Sequence, residues 1–221
     1  MSHKKHLIAL AALLLARAAF AETVNYNVFV KLDNTAESRV NDISQALAKQ
    51  GVNSLFAQGY QVHLTLYLTE YDSKRLPEIQ KIVSQFARRQ SKFAISFTGM
   101  HSTAGKWLML DNQPSPELQQ LADEITVQLV KLRDKNAKLP DWVSAYPEKV
   151  KTFERYGSPN VFAQFNPHVT LLTPKEFNDG VAKFEAGYAF RPFSAQVVGI
   201  GIAQVDALGQ AKNVLYFKPF K

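Results

Sequence analysis

The chain has 221 residues, 26 basic and 19 acidic side chains, a net charge of +7 and no cysteine. The missing thiols exclude cysteine nucleophiles, zinc–thiolate centres and iron–sulfur clusters, and a chain of this length can bury a core without disulfides, in one domain or two intimate lobes. The charge is mild: it suits an anionic ligand without requiring one.

Residues 1–21 read as a cleavable export signal. Lys4 and Lys5 precede an apolar run, Leu7 to Leu15, and small residues ending in Ala19-Phe20-Ala21. That order is a charged region, a short hydrophobic stretch and an A-x-A cleavage site. The run is too short to span a bilayer, which takes about 20 residues, and no later segment is apolar enough to cross one. The expected mature chain is Glu22 to Lys221, with 23 basic and 19 acidic residues, and it is expected to be secreted or periplasmic. It keeps three histidines: His63, His101 and His168.

Tyr26 to Leu32 alternates around Val28 and Val30 and predicts a strand. Asp33-Asn34-Thr35 supplies a turn and cap for a helix from Ala36 to Lys49, stopped by Gly51. Gln61 to Tyr71 predicts a strand with Val62, Leu64, Leu66 and Leu68 on one face. A helix capped by Ser73 runs to about Gln90, with Leu76, Ile79, Val83 and Phe86 along one stripe. Phe93 to Met100 and Lys106 to Leu110 predict two strands. Pro114-Ser115-Pro116 opens a long helix to about Arg133. Residues 134–160 change in composition and read as a connection, with a short helix near Lys149 to Arg155. A strand is expected over Val161 to Thr173, then a helix from about Lys175 to Ala186. Two strands, Phe193 to Val205 and Asn213 to Phe217, close the chain.

The pattern repeats. The strand with His63 is followed by a helix, Phe93 to Gly99, a turn and Trp107 to Leu110. The strand with His168 is followed by a helix, Phe193 to Gly199, a turn and Val214 to Phe217. Two such halves predict two lobes related by an approximate twofold. Each alone would expose an apolar face, so they should pack together as one bilobal domain over 22–221.

The chemistry centres on His63-Leu64-Thr65-Leu66 and His168-Val169-Thr170-Leu171. Alternate residues on a strand share a face, so each His stands beside its Thr while the apolar residues anchor the other side. Two imidazoles and two hydroxyls across a cleft suit phosphoryl transfer without a metal. One histidine accepts a proton from the attacking oxygen and the other protonates the leaving oxygen. Thr65 and Thr170 can donate hydrogen bonds to the non-bridging phosphate oxygens. A bare His-x-Thr is weak, since His101-Ser102-Thr103 satisfies it too, but that match has no apolar residue between and lies at a Gly-flanked turn.

Gln61-Val-His-Leu-Thr-Leu-Tyr-Leu68 and Asn166-Pro-His-Val-Thr-Leu-Leu172 resemble the paired motifs of the 2H phosphoesterase superfamily, in its 2′-5′ RNA ligase-like, RNA 2′,3′-cyclic phosphodiesterase branch. The resemblance covers essentially the whole mature chain, and Pro167 before the second histidine is typical of the group. It implies an α+β bilobal fold, two pseudo-symmetric and mostly antiparallel sheets lining a central cleft, with helices outside. It implies hydrolysis of 2′,3′-cyclic or 2′-5′ phosphodiester bonds at RNA ends or in small nucleotides, with no cofactor and no required metal. In that branch the first histidine is usually the proton donor, which would make His63 the acid and His168 the base. The export signal departs from the branch, most of whose described members are cytoplasmic. A monomer is expected.

Secondary candidates for substrate contact are His101 and Lys106, which flank the Ser102–Gly105 turn, and Trp142 and Tyr156, in a connection where aromatics interleave with lysines and which could serve as a lid. The bland readings are a solvated hairpin tip and a loop packing its own aromatics. Two rival functions stand beside the enzyme: a non-catalytic module holding a nucleotide or RNA end, and a metalloenzyme ligated by His63, His168 and His101 with a carboxylate.

Overall fold

The computed structural model describes residues 22–221; the expected export signal lies outside the described residues. Seven strands form one antiparallel sheet: β1 (Thr23–Leu32), β2 (His63–Asp72), β3 (Phe93–Ser102), β4 (Leu108–Asn112), β5 (His168–Leu172), β6 (Phe193–Val205) and β7 (Ala211–Pro219). Their order is β2-β1-β6-β3-β4-β5, with β7 also on β6. The long β6 joins the two halves, so the two expected sheets are one. The strands at its ends, β2 and β5, come together. Gln61 and Val62 share an internal crevice with Val169, Thr170 and Leu171, and the Leu55 N–H donates to the Leu171 carbonyl at 3.0 Å.

Among the described residues are five helices, α1 (Asn34–Ala48), α2 (Leu76–Arg89), α3 (Pro116–Leu129), α4 (Pro147–Tyr156) and α5 (Gly180–Gly187), of which α1, α2 and α3 cover the sheet. Asp33 caps α1 by accepting from the Ala36 N–H at 3.3 Å, and Ser115 caps α3 from the Leu118 N–H at 3.2 Å. Each cap removes one orphan donor, an effect of about 1 kcal/mol. Val40, Ile43 and Leu47 of α1, Ile79, Val83 and Phe86 of α2, and Leu118, Leu121 and Ile125 of α3 bury the helices on the sheet. Burying one such side chain fully is worth about 1.5–3 kcal/mol.

Some expectations shift. The expected strand over 161–173 is only His168–Leu172, because Phe162–Gln164 makes a tight 3₁₀ turn first. The last helix begins at Gly180 rather than near Lys175. The Glu176 carboxylate binds the Thr173 N–H and hydroxyl, and the Asn178 side chain takes the Gly180 N–H at 2.8 Å, so residues 173–179 are spent in turns. The expected Ser73 cap is a 3₁₀ turn, Ser73–Arg75, capped by Asp72.

The internal repeat holds, but its unit starts one strand earlier. Each motif strand pairs with the strand preceding it in sequence, β2 with β1 and β5 with β4. The units are therefore β1-α1-β2-α2-β3 and β4-α3-β5-α5-β6, with β7 appended. The third strand of each lobe comes from the other unit: β6 lies beside β1, and β3 beside β4.

Register defines the match. In β2 the pairing with β1 slips immediately after Thr65, leaving Leu66 as an extra residue; in β5 the pairing with β4 slips immediately after Thr170, leaving Leu171 extra. The β1–β6 ladder bulges at Val198, and the β4–β3 ladder at the equivalent Thr98. His63 thus lies in a row with Lys31 and Gly199, and His168 in a row with Asp111 and Gly99. A bulge switches the face on which later residues fall. Leu68 therefore leaves the expected core stripe, and Tyr67, Thr69 and Tyr71 are buried in its place.

Candidate active site

His63 and His168 occupy the first positions of the two strands that meet. Because residues opposite one another on a ladder share a face, His63 and Thr65 stand with Lys31 and Phe29 of β1, and His168 and Thr170 with Asp111 and Met109 of β4. Helices cover the other face, where Val28, Val30, Leu64, Leu110 and Val169 are buried. The sheet brings the two imidazole–hydroxyl pairs together, and the charge of one histidine is felt at the other.

Each ring is held the same way. His63 Nδ1 lies 2.8 Å from the Gln61 carbonyl, and His168 Nδ1 lies 2.8 Å from the Asn166 carbonyl. A carbonyl only accepts, so Nδ1 carries the proton in both and Nε2 holds the lone pair of the neutral ring.

Beyond that shared geometry the surroundings diverge. His63 is only 7% exposed. The Phe29 ring meets it edge-on at 5.4 Å between centroids. Burial is the chief cause that pushes its pKa down to about 4, aided by the charge of His168 and opposed by the Gln61 carbonyl. The fully buried Asn27 donates from Nδ2 to His63 Nε2 at 3.2 Å and to Thr65 Oγ1 at 2.8 Å, while its Oδ1 has no partner among the described residues. Both bonds leave the Thr65 hydroxyl hydrogen free for another acceptor.

His168 is partly open to solvent, and burial lowers its pKa too. Here the Asn166 carbonyl and the Asp111 carboxylate act in the raising direction, while His101 and Lys149 act in the lowering one. His101, on β3, binds Asp111 through Nδ1 at 2.8 Å. Asp111 thus places a carboxylate on the His168 side of the site.

The secondary candidates divide. His101 reaches the site through Asp111. Lys106 stays at the exposed β3–β4 turn with φ 60°, its N–H on the Thr103 carbonyl at 2.9 Å, and its side chain makes no hydrogen bond or ion pair among the described residues. Trp142 is 44% exposed and stands edge-on to Tyr146, with Lys149 Nζ 5.7 Å from its ring centroid. Tyr156 packs on Phe162 at 4.6 Å, and its carbonyl accepts from the Tyr67 hydroxyl. Tyr156 therefore anchors the 134–160 connection to the body. The connection is ordered by a 3₁₀ turn, Asp141–Ala145, and α4.

Sequence reasoning missed Asn27, Asp111 and Lys31. The only signal was a polar residue at alternate positions of otherwise apolar strands. Among the described residues, no group of three or more histidines and carboxylates is placed to hold a metal ion, and no helix is long and apolar enough to cross a membrane.

A family model described as the 2′-5′ RNA ligase superfamily matches residues 32–172, more than half of the chain. No curated protein sequence matches it. Among solved structures, a Thermus thermophilus protein is 14% identical, covering 89% of this chain and 97% of its own, with a TM-score of 0.54. A structure described as a phosphoesterase is 17% identical over 90% of this chain and 99% of its own, with a TM-score of 0.54. E. coli LigT complexed with 3′-AMP is 16% identical over 90% of this chain and 99% of its own, with a TM-score of 0.55. At such identities the likeness speaks for the fold.

Proposed function

The chain belongs to the 2′-5′ RNA ligase superfamily, and from that premise we propose that it is a metal-independent phosphodiesterase opening 2′,3′-cyclic phosphate or 2′-5′ phosphodiester bonds of RNA ends or small nucleotides. The observation that carries the reading is the meeting of β2 and β5, each starting with a histidine whose Nδ1 is tied to a carbonyl and each bulged just after its threonine. The complex of the similar LigT fold with 3′-AMP supports a nucleotide ligand.

In this reading His63, held neutral, accepts the proton of the attacking water at Nε2 as the water oxygen bonds to phosphorus, the Asn27 N–H giving up that lone pair to the water. The bond from phosphorus to the leaving oxygen breaks, and that oxygen takes the proton of His168 Nε2. An anionic phosphodiester favours protonation of both rings, and the Asp111 carboxylate makes His168 the better placed to hold the charge. Thr65 and Thr170 donate to the non-bridging oxygens, where negative charge is greatest. The roles run opposite to those the resemblance implied.

The enzyme acts outside the cytoplasm in this proposal, on the strength of the export signal in residues 1–21. The N-terminus of protein recovered from cell fractions tests that part: an intact Met1 in the cytoplasm overturns it.

The activity is tested by incubating the mature chain, in EDTA, with 2′,3′-cyclic nucleotides and 2′-5′ dinucleotides and identifying the products. His63→Ala and His168→Ala should each lose about 10²- to 10⁴-fold in rate. Undiminished turnover by the double variant would sink the two-histidine mechanism.

A further inference from the structure

Two strands away from His63, a phenylalanine ring reaches the place where the sheet carries a glycine instead of a side chain. The row His63, Lys31, Gly199 runs across β2, β1 and β6 on the site face. A Cβ at Gly199 would come within 2.5 Å of the tip of the Phe217 ring and 2.6 Å of the Lys218 carbonyl, so the missing side chain makes room for that ring beside the sheet. Gly201, opposite Phe217 on β7, does the same for Phe29, whose ring a Cβ would meet at 2.6 Å. Phe29 is buried and abuts His63; Phe217 is 38% exposed.

Lys31 stands between His63 and this ring. Its Nζ is 6.0 Å from the Phe217 centroid and 3.5 Å from Glu37. Phe217 and Lys31 line one groove with Lys92, Asn34 and Thr35. Among the described residues the opposite lobe has no such floor. Its equivalent row ends at Gly99, where a Cβ would meet only Asp111 Oδ2, at 3.8 Å, and the cation is replaced by that carboxylate.

We propose that Phe217 is the platform for the nucleobase of the substrate, with Lys31 holding an anionic oxygen between base and reacting phosphorus. This rests on the phosphodiesterase reading and deepens it. Adjacent strands are about 4.8 Å apart, so the ring over Gly199 sits roughly 10 Å across the sheet from the His63 backbone. That is the reach of one nucleoside from its phosphate to its base. The partly exposed ring stacks the base irrespective of sequence, and Asn34 and Thr35 supply polar groups in the same groove. Since this floor belongs to one lobe, the nucleoside binds in one direction, with its base on the His63 side.

The test measures calorimetric binding of adenosine 3′-monophosphate and of inorganic phosphate to the wild type, Phe217→Ala and Phe217→Tyr, alongside turnover of a 2′,3′-cyclic nucleotide. Phe217→Ala should weaken the nucleotide about tenfold, a typical loss for one stacked base, and raise KM more than it lowers kcat. It should leave phosphate binding unchanged. Phe217→Tyr should restore the nucleotide affinity, which a merely structural role in β7 would not require. Turnover by the wild type with equal nucleotide binding in Phe217→Ala overturns the platform and leaves the phosphodiesterase reading standing. A wild type that neither binds nor turns over any nucleotide overturns both.

Discussion

Lys31 and Asp111 hold the same place in the two lobes and carry opposite charges. Each is the ladder partner of its lobe's histidine, and each is followed across the sheet by a glycine, Gly199 or Gly99. The backbone is close to twofold at the site, but its electrostatics are not. Two motifs of one pattern therefore present unequal rings, the inequality that the proposed acid–base pair needs.

Removing the carboxylate tests this asymmetry. Asp111→Asn takes away a group that raises the His168 pKa. The alkaline limb of the kcat/KM profile, which reports the group that must be protonated, should move to lower pH. His101→Gln removes a neighbouring group that acts in the lowering direction on the same pKa, so its limb should move the other way. Shifts of equal sign in the two variants would contradict the assignment.

Asn27 tunes the other ring. As placed, its amide nitrogen serves the neutral imidazole and its oxygen is unsatisfied. Turned by half a rotation, the amide would offer that oxygen to a protonated His63. Asn27→Asp puts a negative charge at this point and should raise the His63 pKa above about 4. The acid limb of the profile should move to higher pH. Asn27→Leu, which frees Thr65 and His63 from their shared partner, should lower kcat by about tenfold, the equivalent of roughly 1.4 kcal/mol.

Folding stability carries a record of the buried ring. In the unfolded chain His63 takes a proton near pH 6.5, but in the folded protein only near pH 4. Above pH 6.5 neither state is protonated and the full stability is present. Between the two values the unfolded state binds a proton that the folded state refuses, so stability falls as the pH falls, by about 3 kcal/mol in all. Urea midpoints of His63→Gln, measured from about pH 7 to 4, should show a shallower decline than the wild type; parallel curves would place the titration elsewhere.

The connection around α4 hangs on two buried hydroxyls. Tyr67 donates to the Tyr156 carbonyl, and Thr69 donates to the Gly157 carbonyl at 2.7 Å. Thr69→Val leaves that carbonyl without its donor and should cost about 1–3 kcal/mol. Hydrogen exchange should quicken in residues 147–157 while the amides of β1 stay protected.

The strands, the helices that cover them and the two motifs were legible because their signals are local: alternation, helical spacing and a repeated His-x-Thr in apolar surroundings. Gly99 and Gly199 even marked equivalent points of the repeat. The bulges after Thr65 and Thr170 were not legible, since neither glycine nor proline announces them and Leu66 and Leu171 look like ordinary core positions. Without the bulges, Leu68 reads as core and Tyr67 as its opposite. Asn27 and Asp111 were hidden for a different reason. Each acts on a histidine far along the chain, through a ladder, and only the register says which polar residue faces which ring.

The exchange of β3 and β6 between lobes has a consequence for how the molecule can be divided. A chain severed in the turn between β3 and β4 would yield two fragments, each missing the inner strand that its own motif-bearing sheet requires. Neither piece could form a complete half-site, yet mixing them offers each the strand it lacks. The two chemical halves of the cleft are thus woven rather than tethered, and the spacing of the histidines is set by a shared β6 running unbroken from one side to the other.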